Sequence, residues 1–143
     1  MPDLYDTDFY AWTREQAELL RAGKLPALDV AHIAEEIESM GRSERNQLTD
    51  WLAVLLAHLL KWQFQPGLRG NSWRLTIREQ RRRAARLLAQ NPSLGAVRDA
   101  ILEDAYGDAV LMAERETGLP GITFPDACPW TFDQAMEDEL KAE

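Results

Sequence analysis

The chain has 143 residues, a formal net charge of −8, 45% hydrophobic residues and one cysteine, Cys128. That length suits a single domain over residues 1–143 whose core needs neither disulfide nor metal, and a lone cysteine excludes an internal disulfide. The opening MPDLYDTDFY has neither a basic start nor an apolar stretch, so no signal peptide and a cytoplasmic location are expected. The charge is segregated: Arg69, Arg74, Arg78, Arg81, Arg82, Arg83 and Arg86, with only Glu79 among them, carry +6 and leave −14 for the rest. An overall acidic chain disfavours undirected nucleic-acid binding, which draws on a broad basic face.

In chain order, Asp6 or Thr7 is placed to cap a first helix, whose Phe9, Trp12, Leu19 and Leu20 form a stripe and which ends near Gly23. Asp29 caps a short second helix with Val30, Ile33, Ala34, Ile37 and Met40 on its apolar side. Gly41 is read as its C-terminal stop and Ser43 as the cap of the next helix, so a tight turn is expected between them. The third, central helix runs to Gln65 through WLAVLLAHLL, Trp51 to Leu60. That run is about half the ~20 residues a bilayer span needs, so it is read as a core helix and no membrane contact is expected. At 100° per residue Gln47, Asp50, Val54, His58, Lys61 and Gln65 share its one stripe suited to water. Pro66 and Gly67 stop it. Asn71 or Ser72 starts a fourth helix to Gln90, and Asn91-Pro92-Ser93 breaks the chain again. A long fifth segment, Leu94 to Thr117, carries Gly107 as a kink or division. FPDACPW is read as an extended strap pinned by Phe124 and Trp130, and Thr131 with Gln134 as a capping box for a last helix, Phe132 to Leu140. No segment alternates like a strand. The expected fold is all-α: a compact helical bundle of about five to seven helices with a C-terminal strap.

Several polar residues stand where chemistry could occur. Glu36 and Glu38 border the apolar side of the second helix. On the fourth, Gln80 projects among the inward Trp73, Ile77, Ala84, Leu87 and Leu88, while Arg74, Arg81 and Arg83 flank them and Arg78, Arg82 and Arg86 point away. The simplest account pairs the flanking arginines with the border glutamates, since a half-buried guanidinium favours a bidentate carboxylate. The functional alternative is a cleft in which Glu36 or Glu38, Gln80 and Arg81 meet a polar ligand. His58 lies between Trp51 and Trp62 with Lys61 one turn along, which suits an acid or base beside an aromatic wall. With two histidines and one cysteine, dispersed, no metal and no cofactor are expected. His32 with Glu35 or Glu36 is a weak ligand set. No glycine-rich phosphate loop or nucleophile elbow is present.

The stretches LYDTDFYAW, HIAEEIESMGRSER, LLAHLLKWQFQP, SWRLTIREQRR, NPSL, AYGDAVLMAERETGLP and FPDACPW, in this order and over nearly the whole chain, resemble a bacterial family known as domain of unknown function twenty-nine. The resemblance implies a compact helical intracellular protein and brings no established activity, cofactor or catalytic residue. Its stretches contain Glu35, Glu36, Glu38, His58, Lys61, Trp62, Trp73, Gln80 and Arg81.

The leading expectation is a non-enzymatic interaction or regulatory module that docks a protein partner, or another copy of itself, through charge-segregated helical surfaces. A small-molecule binder or enzyme around His58 is the first alternative. Nucleic-acid binding through Trp73 and the row Arg78, Arg82 and Arg86 is the second.

Overall fold

The structure, a computed structural model, describes residues 3–140. It is all-α, with helices α1 (Leu4–Thr7), α2 (Phe9–Arg21), α3 (Val30–Phe64), α4 (Asn71–Gln90), α5 (Arg98–Thr117) and α6 (Phe132–Glu137) joined by short 3-10 turns, and no strand among the described residues. No helix is long and apolar enough to cross a membrane. The chain divides into two units, Met1–Ser43 and Glu44–Glu143.

In the first unit the cap of α2 is Asp8, whose side chain accepts a hydrogen bond from Ala11 N at 3.1 Å, rather than Asp6 or Thr7; these fall in the separate turn α1. The chain leaves α2 through Gly23 at φ +70°, a left-handed conformation that glycine adopts without a Cβ clash. Trp12 and Gln16 are the two buried residues of α2. The apolar side of the following helix is open: Val30, Ile37 and Met40 are 67%, 62% and 66% exposed.

The largest departure from expectation is at residues 41–43. No turn forms there, and α3 runs unbroken for 35 residues. A glycine stop requires the left-handed conformation and a chain that turns away. The glycines that take it are Gly23 and Gly118, not Gly41. Without a following proline, and with Glu38 reaching Arg42 one turn on at 3.9 Å, helix propagation continues through Gly41.

In the second unit, residues 48–62 of α3 supply the centre of the core: Leu48, Leu52, Leu55, Leu56 and Leu60 are fully buried. Ile77, Ala84 and Leu87 of α4, and Ile101, Ala105, Ala109 and Ala113 of α5, belong to the same cluster. α4 covers the expected residues, although its N-cap is Gly70 rather than Asn71 or Ser72. α5 is one helix through Gly107, so the chain is not divided there, and it ends at Gly118, φ +77°. The strap is held as expected: Phe124 is buried edge-on against Phe64 at 5.4 Å, and the Tyr106 hydroxyl donates to Pro125 O. Thr131 and Gln134 form the capping box of α6, which stops at Glu137 rather than at Leu140.

Candidate functional site

The candidate residues lie in four separate settings, and the first was only partly visible in the sequence. Asp29 caps α3, and its carboxylate accepts from the Trp12 indole at 3.0 Å and meets His32 Nδ1 at 2.7 Å. Its hydrogen bond with His32 holds the Asp29 carboxyl below its usual range, so it is an acceptor and His32 Nδ1–H must donate. The same bond raises the His32 pKa above the ordinary 6.5. Gln16 accepts from Asp29 N at 2.8 Å, Tyr5 stacks on the imidazole at 3.9 Å, and the Tyr5 hydroxyl donates to Glu36. That bond pushes the Tyr5 pKa to about 12. Asp3, Asp29 and His32 place one ligand atom each within 4.8 Å of one another and could hold a divalent ion, a different set from His32 with Glu35 or Glu36. Asp29 and His32 nonetheless satisfy each other, and Asp3 is exposed.

Tyr5, Trp12, Gln16 and Asp29 were not singled out by sequence reasoning as parts of a site. The available signal was Gln16, a polar side chain spaced i+4 from Trp12 on an otherwise apolar stripe. Glu38 is exposed and, among the described residues, pairs only with Arg42.

The second setting is the buried end of α3. Lys61, expected to meet water, is 7% exposed. Its ammonium pairs with Glu116 of α5 and sits over the Trp73 ring at 5.7 Å, so one charged side chain joins α3, α4 and α5. One turn back, His58 Nδ1 donates to Val54 O at 2.8 Å. Burial pushes the His58 pKa below 6.5, and Lys61 adds to this while the Val54 bond and Glu116 oppose it. Trp51 is half-buried nearby in the chain. Trp73, packed on the core under Lys61, lies across α4 from Arg78, Arg82 and Arg86 on the helical wheel.

A cleft of about 350 Å³ forms the third setting. Its lining includes Trp62, Arg69, Arg81, Trp130, Gln134 and Asp138, but not Trp51, His58, Lys61 or Gln80. Trp62 is buried, with Arg69 and Arg74 over its ring at 5.4 and 5.5 Å. Arg81 donates to Ala135 O and Asp138 O, both at 2.9 Å, tying α4 to α6. Burial lowers the Arg81 pKa, and the Asp138 charge opposes this. The flanking arginines thus find partners within their own unit: Arg81 on carbonyls, Arg83 on Glu79 at 2.6 Å. Gln80, 6% exposed, has no hydrogen-bond partner for its Oε1 among the described residues.

The fourth setting is the outer face of α4. Arg78, Arg82 and Arg86 follow one another at i, i+4 and i+8, all exposed, with no hydrogen-bonding or ionic partner among the described residues. Leu75, 50% exposed, continues the same stripe.

A family model for the domain of unknown function DUF29 matches residues 4–140. The chain belongs to this family. No curated protein and no solved structure matches it. The DUF29 match takes in all four settings, from Tyr5 to Asp138.

Proposed function

We propose that this DUF29 chain is a non-enzymatic interaction module of the bacterial cytoplasm that docks an acidic protein surface through the outer face of α4. The observation that carries this reading is the unpaired row Arg78, Arg82 and Arg86. Like charges at i, i+4 oppose helix formation by roughly 0.2–0.5 kcal/mol per pair. No ionic partner among the described residues offsets that cost, whereas an acidic partner would. The net charge of −8 and the packing of the partly buried Trp73 against the core favour a protein over a nucleic acid as that partner. A family match that runs through both units supports treating the chain as one functional domain.

The test is native mass spectrometry of the protein purified gently from its own cells, as wild type and as R78E/R82E/R86E. A heavier complex that is absent from the variant is expected. The same bare monomer from both contradicts the reading. The cleft beside Arg81 supports a second reading as a small-molecule binder; a discrete added mass retained by the R78E/R82E/R86E variant and lost in Arg81→Gln would select it.

A further inference from the structure

The exposed apolar residues of the first unit require a cover. Phe9 and Leu20 on α2, Leu25 in the turn, and Val30, Ile37 and Met40 on α3 are each between 46% and 67% exposed. On the helical wheel Val30, Ile37 and Met40, with the half-buried Ile33, fall within a stripe about 80° wide. With Ala34 counted on its far side, Glu36 and Glu38 each lie about 40° beyond an edge of that stripe. A unit whose described residues bury only Trp12 and Gln16 gains little from its own core, so an uncovered stripe of this kind is expected to bury itself against something.

Two features indicate what that is. The first is charge. Residues 1–43 hold nine carboxylates against four basic side chains, a net −5, while α4 holds six arginines against Glu79, a net +5. An apolar stripe bordered by glutamates is therefore matched, in the same sequence, by a stripe of Leu75, Arg78, Arg82 and Arg86 without partners. Arginine stems can cover apolar surface while their guanidinium groups reach carboxylates at its border. The second is area. Val30, Ile37 and Met40 each leave on the order of 100 Å² in water, so the stripe offers roughly 300 Å²; with a matching area opposite, the two reciprocal contacts of a pair together bury roughly 1,200 Å², the lower end of a standard interface.

We infer that the occupant of this face is the α4 arginine row of a second copy of the chain. The contact is reciprocal: each copy places its acidic, apolar stripe on the basic stripe of the other, and a twofold axis relates the two contacts. This deepens the reading of α4 as a docking face for acidic protein, on which it rests, and identifies that protein as a second copy of the chain.

The experiment is sedimentation velocity of the purified full chain at low and high salt, on wild type, I37D/M40D and R78E/R82E/R86E, with circular dichroism confirming helicity. All the altered positions are exposed, so the fold is expected to persist. Wild type should dimerise, more weakly at high salt. Each variant alone should lose about 100-fold or more in dimerisation constant. An equimolar mixture of the two variants should regain a dimer, because the intact stripe of one still meets the intact arginine row of the other. A wild type that stays monomeric at low salt, a dimer untouched by R78E/R82E/R86E, or variants that remain apart when mixed would each overturn the inference. In the first case a complex with another protein, found in cells and lost on reversing the arginines, would leave the docking face standing without the self-pairing.

Discussion

At the scale of single residues, the informative positions are those where a polar group is buried. Gln80 could be read in the sequence as an amide among apolar neighbours, but whether it bridged helices could not, because that depends on which atoms face it. Its Oε1 meets none among the described residues. An orphaned buried acceptor costs about 1–3 kcal/mol, so Gln80→Leu should raise the melting temperature; a fall would mean that the amide has a partner. The two histidines make a second test because their environments act in opposite directions. His32, raised by the Asp29 hydrogen bond, favours the protonated fold. The stability it contributes is complete below pH 6.5 and is lost as pH rises through its folded pKa. Asp29, lowered by the same bond, contributes above its ordinary value of 3.8 and loses that contribution as pH falls through its folded pKa. His58, lowered mainly by burial, favours the neutral fold, so its contribution declines as pH falls below 6.5. Proton NMR titration should show His32 above 6.5 and His58 below it, with His32 moving down in Asp29→Asn. Coincident midpoints would contradict both placements. Sequence periodicity brought out His58 and Lys61 but could not show that Lys61 is buried, since its Glu116 partner lies 55 residues away on α5.

At the scale of elements, most boundaries follow from local chemistry. α4 ends at Gln90 before Asn91-Pro92, and the Thr131 and Gln134 capping box is formed. The break expected at Gly41 and Ser43 does not occur, because a glycine stops a helix only when the chain takes φ > 0 and leaves the axis; residue type alone does not decide this. The glycines therefore make opposite predictions. Gly41 and Gly107 lie inside helices with nothing within 4 Å of an added Cβ, so each substitution by alanine should stabilise the chain by roughly 0.5–1 kcal/mol. Gly118, at φ +77°, should be destabilised by the same change. Thermal melts of the three variants check this, and a loss of stability in Gly41→Ala would argue for a turn at residues 41–43. The open stripe of Val30, Ile37 and Met40 has a similar lesson. Periodicity identified an apolar side, but not whether it had a partner.

For the whole molecule, the sequence already carried the charge segregation and the all-α class, since both follow from composition and spacing. It did not carry the division into two units, which depends on contacts distant in sequence. Residues 3–43 bury Trp12 and Gln16, whereas residues 44–140 hold the leucine and alanine core. Local stability follows buried apolar contact, so under dilute, monomeric conditions amides in residues 52–60 and 101–109 should exchange far more slowly than those in residues 9–21. Equal protection would contradict the difference in core. The central claim is that α4 presents a docking face, and in-cell photocrosslinking tests it most directly. A photoreactive side chain replaces Arg82 in one strain and the exposed Asp104 of α5 in another. A discrete protein adduct from position 82, absent from position 104, is the predicted result. No adduct at 82, or equal adducts from both positions, would contradict it.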